Sequence, residues 1–258
     1  DAKEFIVEEI SGQKVHRSIV DESYWSIRGE EKVWVKFKEV IQGAKKSIKR
    51  FAGVLELFSV LNLVWSYGRG RGLPILQEAS VVHAFEHIRT NIIRTAYASY
   101  WCELLNHWVE ENQKQASLYY LLKHALSQLD GGALAAAEIS IFFQMRLLYL
   151  AGYGPSLRQC GRCRKNLETI QSNQVVFDIA KGAILCDECT SGAGGRIRLS
   201  KGTIKQLLWV ASGDLKKASR VRFGAQAIKE SLEFLEAFVP YIMGIQPQSL
   251  KFLKQIRK

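Results

Sequence analysis

Cys160-Gly161-Arg162-Cys163 and Cys186-Asp187-Glu188-Cys189 are two Cys-x-x-Cys knuckles with twenty-two residues between them. A knuckle sets two thiolates on one tight turn, and two knuckles brought together make a tetrahedral cage of four sulfurs. Zn²⁺ favours such a cage because it is borderline-soft and has no d-electron geometry to satisfy. The gap has room for one β-hairpin. Val175-Val176-Phe177 and Ala183-Ile184-Leu185 read as its strands, with Lys181-Gly182 near the turn. The other readings of four such cysteines are two disulfides, buried free thiols or an iron–sulfur cluster. A redox pair is disfavoured, because no thioredoxin-like βαβ pattern surrounds either knuckle. Four cysteine ligands leave no open coordination position. The expected ion is therefore one structural Zn²⁺ per chain, held by Cys160, Cys163, Cys186 and Cys189.

Outward from the knuckles, the chain has 258 residues, with 47% apolar and 24% charged side chains, so it can bury a sizeable core. The fifth cysteine, Cys102, falls in a helical pattern and reads as core. Cysteines in metal spacing point to a reducing cytoplasm. No apolar run reaches the eighteen residues of a membrane span, and no signal-peptide pattern is present. The chain opens on Asp1, so a short preceding piece is expected.

Net charge is +11 and unevenly spread. Residues 1–40 and 76–150 are each −2, whereas 41–75 carry +5, 151–200 carry +3 and 201–258 carry +7. Localised positive charge suits a polyanion, most simply nucleic acid.

Residues 1–80 read as β-rich. Phe5-Ile6-Val7, Val33 to Phe37 and Leu55 to Trp65 carry β-branched and aromatic residues, punctuated by glycines, and a small barrel fits such short strands. Residues 8–32 show no clean alternation. From Val82 the period becomes helical. Phe85, Ile88, Ile92, Ala96, Tyr100, Leu104 and Trp108 share one stripe of an expected long helix. A second helix runs through Leu118 to Leu129 and stops at Asp130-Gly131-Gly132. Residues 133–150 are apolar nearly all round, as in the buried middle of a bundle. After the knuckles, Gly192, Gly194 and Gly195 make an exit. Ser200 caps a helix through Trp209-Val210, another runs from about Ala225 to Ile242 until Pro247 breaks it, and a basic helix closes the chain.

Among candidate binding residues, Lys45, Lys46, Lys49 and Arg50 are the densest basic cluster. They fit phosphate contacts or a plain solvated loop. Arg69 and Arg71 sit among glycines that allow close approach to a backbone. Arg158, Arg162, Arg164 and Lys165 surround the first knuckle, and Lys216, Lys217, Arg220 and Arg222 form a further group. Trp34, Phe37, Phe51 and Phe58 are available as base-stacking rings, although strand aromatics more often fill a core. His83 and His87 are spaced i, i+4 but lack an HExxH pattern. No Walker loop, Gly-x-Ser-x-Gly or flavin fingerprint is present, so no catalytic set emerges and no enzyme is expected.

Several stretches together resemble the DNA repair protein RecO family of recombination mediators. They are Gly43 to Gly53 leading into Leu57-Phe58-Ser59, Gly70-Arg71-Gly72-Leu73 with Leu76-Gln77-Glu78-Ala79, Tyr97-Ala98-Ser99-Tyr100 with Glu103-Leu104, and Leu147-Leu148 with Gly152-Tyr153, Pro155 and Leu157 entering the knuckles. Residues 1–36 depart from the family's usual opening strand and turn. The resemblance implies an α+β chain. An OB-fold barrel would occupy 1–80 and a helical domain 81–258, with the four-cysteine zinc module inserted at 156–192. It implies a cytoplasmic, nucleoid-associated protein that binds single- and double-stranded DNA, anneals complementary strands and has no membrane partner. It also implies partnership with RecR and single-strand-binding protein in loading RecA. Two other readings stay open. One is an OB-fold and zinc-knuckle factor acting on RNA in transcription or translation, and the other is a scaffold using zinc for stability.

Overall fold

The structure is a computed structural model. It describes residues 7–10, 13–21, 25–26, 51, 53–67, 74–108, 116–190, 196–212 and 222–257. The chain divides into two compact units, Asp1–Asp130 and Gly131–Lys258.

The first unit holds an antiparallel sheet of β1 (Val7–Ile10), β2 (Gln13–Asp21), β3 (Trp25–Ser26), β4 (Val60–Tyr67) and β5 (Pro74–His83). The order is β1-β2-β4-β5, with β3 also on β2. β2 meets β4 from His16↔Trp65 to Asp21↔Val60. The β4–β5 ladder shifts register at Val60/Leu61 and again at Val64/Trp65. Each shift bends a strand and deepens its twist. Among the described residues this sheet is open and does not close into the expected barrel. Residues 8–32, which show no clean alternation, nevertheless contain most of β1 and all of β2 and β3. The expected strand Val33 to Phe37 lies outside the described residues.

The long helix expected from Val82 begins ten residues later. β5 runs on through the β-branched pair Val81-Val82, a single turn α1 (Glu86–Arg89) follows, and only then comes α2 (Ile92–Trp108). Asn91 sets that start, since its Oδ1 accepts from the backbone N–H groups of Ile93 at 3.0 Å and Arg94 at 3.1 Å. α2 buries Tyr97, Tyr100, Trp101, Leu104 and Leu105, with Cys102 buried as expected. α3 (Ala116–Gly131) buries Leu118, Leu121, Leu122 and Leu126 and stops where Gly132 turns left-handed at φ 67°. Asp130 ties that end back to the other helices. Its Oδ1 accepts from the Ile88 N–H at 3.1 Å, and its carbonyl accepts from Arg94 at 3.1 Å.

In the second unit, α4 (Ala136–Leu150) is buried almost all round, through Ile139, Ile141, Phe143, Met145, Leu147 and Leu148. The expected hairpin is β6 (Gln174–Asp178) and β7 (Ala183–Leu185). A third strand, β8 (Arg196–Ser200), pairs with the other edge of β6. α5 (Lys201–Ser212) follows at once, and Ser200 Oγ accepts from the Thr203 N–H at 3.2 Å, the cap read from the sequence. Then come α6 (Ala225–Met243) and α7 (Gln248–Ile256). Gly244, at φ 65°, ends α6 before Pro247 is reached.

Aromatic packing fixes the small sheet on α6. Phe177 of β6 meets Phe234 edge-on at 4.5 Å and Phe238 at 5.0 Å, and all three rings are fully buried. Such pairs contribute about 0.5–1.5 kcal/mol beyond their area. The Glu230 carboxylate of α6 accepts from Ser200 N–H at 2.9 Å and Thr203 Oγ1 at 2.6 Å, holding β8 and α5 together. Arg257 grips the buried Glu236 with both guanidinium nitrogens, at 2.6 and 2.8 Å, which fastens α7 to α6.

Candidate metal centre

Both knuckles hang from β7. Ser156 N–H donates to Gly182 O at 2.8 Å, Ile184 N–H donates to Ser156 O at 3.1 Å, and Gly161 N–H donates to Ile184 O at 2.8 Å. The chain before the first knuckle therefore lies along the strand that leads into the second. Cys160 N–H donates to Lys165 O at 2.8 Å, and Arg164 N–H donates to Cys160 O at 3.0 Å, which closes the first knuckle. That closure needs Arg164 at φ 64°, in the left-handed region. Gly161 is required for a different reason. A Cβ there would lie 2.6 Å from the Ala183 Cβ, so the first knuckle sits directly on β7 only because position 161 has no side chain. The second knuckle is a 3-10 turn over Asp187–Cys189, in which Cys189 N–H donates to Cys186 O at 2.9 Å. Thr190 Oγ1 closes on the same carbonyl at 2.8 Å.

The result brings together the four expected cysteines. The sulfurs of Cys160, Cys163, Cys186 and Cys189 all lie within 4.8 Å of one another, and Cys163 and Cys186 are 3.6 Å apart. They are thiols rather than disulfides. A tetrahedral zinc site of four sulfurs, with Zn–S of about 2.3 Å, has sulfurs about 3.8 Å apart. The cage therefore needs only a small contraction to hold a metal ion. Cys186 N–H also points at Cys160 Sγ, at 3.5 Å, a donor that supports thiolate charge.

Electrostatics favour the same reading. Burial pushes the Cys160 thiol up, yet the N–H groups of Cys163, Cys186 and Arg162 outweigh it and bring the thiol down to about 6. Cys189 is pushed up to about 12, by burial first and then by the neighbouring thiols. Four thiolates this close repel one another, and a divalent cation removes that repulsion. Among the described residues these cysteines are the group able to hold a metal. His83 instead stacks on Phe85 at 5.7 Å, and His87 Nδ1 lies 3.3 Å from Asp130 Oδ2.

Around the cage, Arg158, Arg162 and Arg164 are exposed, whereas Lys165 reaches Glu188 on the second knuckle at 3.2 Å. Lys45, Lys46, Lys49, Arg50, Arg69 and Arg71 lie outside the described residues, as do Trp34, Phe37, Lys216, Lys217 and Arg220. Phe51 and Phe58 are 6% and 3% exposed, so neither offers a face for stacking. They are core, the commoner use of aromatics in such places. Gly161 and Thr190 also shape the site, although neither residue type marks a ligand. The small residue at Gly161, inside the first knuckle, is the signal that a strand must pass against it.

A family model for the recombination protein O C terminal matches residues 89–251. The chain is 42% identical to the DNA repair protein RecO of Desulfosudis oleivorans, over 84% of this chain and 85% of that protein. It is 39% identical to the DNA repair protein RecO of Desulfatibacillum aliphaticivorans, over 84% of each. It is 34% identical to that of Syntrophus aciditrophicus, over 86% of each.

Proposed function

The chain belongs to the RecO family of DNA repair proteins, and from that premise we propose that it is a recombination mediator without turnover chemistry of its own. It binds single- and double-stranded DNA and anneals complementary strands. With RecR it helps load RecA onto strands coated by single-strand-binding protein. One observation carries this reading, namely that the likeness to a DNA repair protein extends over most of both chains rather than over one module.

Residues 1–80 form the OB-fold barrel of this reading and 81–258 the helical domain, with the metal module at 156–192. A five-stranded antiparallel sheet with two register shifts supports the barrel, because OB-folds curl five strands by such devices. The ion is Zn²⁺, with a structural role, since four thiolates fill a tetrahedral site and leave no place for a reacting water. Lys45, Lys46, Lys49, Arg50, Arg69 and Arg71 meet phosphates on the barrel, and Arg158, Arg162, Arg164 and Lys165 do so at the knuckles. The protein works in the cytoplasm, at the nucleoid. No helix among the described residues is long and apolar enough to cross a membrane.

The test is annealing of complementary oligonucleotides coated with single-strand-binding protein, with an RNA pair as control. Faster annealing of DNA is expected. Equal or greater action on RNA would favour an RNA-binding factor, and no action on either would favour a scaffold.

A further inference from the structure

α4 does not end in a covered turn. Ala151 N–H donates to Leu147 O at 2.9 Å, Gly152 N–H to Tyr149 O at 3.2 Å and Tyr153 N–H to Leu148 O at 2.8 Å. With Gly152 at φ 81°, this is a Schellman-type close, in which the residue after the glycine ordinarily tucks an apolar side chain back onto the helix. Here that residue is Tyr153, and it is 52% exposed. Tyr149 is 41% exposed and Leu150 is 46% exposed. Three large apolar side chains thus face solvent within five residues of a rigid turn.

The turn is also fixed by Tyr149. Tyr149 lies against Gly154, where a Cβ would come 2.7 Å from its ring, and its hydroxyl donates to Pro155 O at 3.4 Å. Burial raises the pKa of that hydroxyl, which keeps it a neutral donor, against the opposing pull of the nearby Arg158 charge. Residues 149–165 hold four basic side chains and no acidic one. Lys165 is engaged by Glu188, which leaves Arg158, Arg162 and Arg164 exposed. The hydrogen bonds to β7 keep the turn and the first knuckle on one strand.

We propose that Tyr149 and Tyr153, with Arg158 near Tyr149, form a base-stacking platform for single-stranded DNA at the junction of α4 and the metal module. Rigid aromatic faces bordered by cations are what single strands use, because each base offers a π-face and each phosphate a charge. The backbone on either side of Tyr153 favours a strand over an acidic, apolar peptide. Gly152 and Gly154 flank it without side chains, and a Cβ at Gly152 would meet open space. A base needs only a flat face, whereas a peptide side chain needs walls. This inference rests on the DNA-binding reading above and adds the surface that would contact bases.

The experiment compares the wild-type protein with Tyr153→Ala and Tyr153→Phe. The probes are a fluorescent oligothymidylate, an abasic strand of equal length and an acidic peptide containing phenylalanine. The Ala variant should bind oligothymidylate about tenfold more weakly, the abasic strand unchanged, and with an unchanged salt slope, since a ring displaces no counterions. The Phe variant should bind like wild type. Strands carrying 5-iododeoxyuridine should photo-cross-link to Tyr149 or Tyr153 in the unaltered protein. Equal loss on both strands, no loss on either, cross-links confined to other segments, or loss of the peptide alone would overturn the platform. A wild-type protein that binds neither strand would instead overturn the DNA-binding reading on which it rests.

Discussion

At Gly161 a hydrogen atom stands where any side chain would meet Ala183, and the metal cage depends on that contact. Gly161→Ala is expected to push the first knuckle off β7 and weaken metal retention at a given chelator concentration. Removing a ligand is more severe. Cys186→Ser takes one thiolate from the cage, and binding and folding are linked in small metal modules. Metal content by elemental analysis should fall towards zero, with solubility falling alongside. A variant lacking all four thiols that stayed soluble and annealed DNA would refute a structural zinc. Glu230 is a second residue whose role is local. Burial raises its pKa, but hydrogen bonds from Thr203, Gln226 and Ser200 outweigh it and hold the carboxyl below its ordinary value. A depressed folded pKa stabilises the fold at pH values above the ordinary glutamate range, and that contribution is lost as pH falls through the folded value. Glu230→Gln should therefore cost about 2 kcal/mol near neutrality. The variant should also show a flatter stability profile between about pH 6 and pH 3, followed by urea titration. Parallel profiles for the two proteins would remove Glu230 from the account of acid sensitivity.

Arg89, on α1, joins three elements. Its Nη1 donates to Leu57 O at 2.9 Å, Ser59 Oγ at 3.2 Å and Ala84 O at 2.7 Å. Those two carbonyls immediately precede Phe58 and Phe85, which are buried at positive φ, 61° and 44°. A bulky residue in that region costs about 1–3 kcal/mol and persists only where its surroundings hold it. One guanidinium thus fixes both strained entries, before β4 and after β5. Arg89→Ala should destabilise the protein by about 2–4 kcal/mol in urea unfolding. A loss under about 0.5 kcal/mol would mean that packing alone holds both phenylalanines. The same junction shows where the sequence misleads. Phe85, Ile88 and Ile92 keep helical spacing across a break, so periodicity alone joins β5, α1 and α2 into one helix. The signals against it are local: the β-branched Val81-Val82 and the capping Asn91. β8 was hidden differently. Arg196-Ile197-Arg198-Leu199 alternates, with Ile197 and Leu199 buried and Arg198 exposed, but it follows a glycine run and reads as an exit. The hairpin and knuckles were legible because spacing and chemistry agree there. The cap at Ser200, the stop at Asp130-Gly131-Gly132 and the helix from Ala225 were legible for the same reason.

Across the whole molecule the excess charge of +11 lies in three blocks, and the block at 41–75 contributes +5 of it. Lys45, Lys46, Lys49 and Arg50 put four positive charges into six residues of that block. A single strand held by such charges releases counterions, so its affinity falls with salt at about −0.7 per phosphate neutralised. Changing all four to Ala should flatten the slope by roughly 3. The loss should be nearly equal across sequences, because phosphate contacts position a strand without reading it. It should also differ from the loss at Tyr153, which leaves the slope alone. Annealing should fall with the slope, while metal content stays unchanged, since the cage and its ties to β7 lie in the other compact unit. The measurement is a binding titration of wild type and quadruple variant at several salt concentrations. An unchanged slope would make the cluster a solvated segment. It would leave Arg158, Arg162 and Arg164 as the cations that carry the phosphates, and the triple Ala variant at those positions would then have to show the flattening instead.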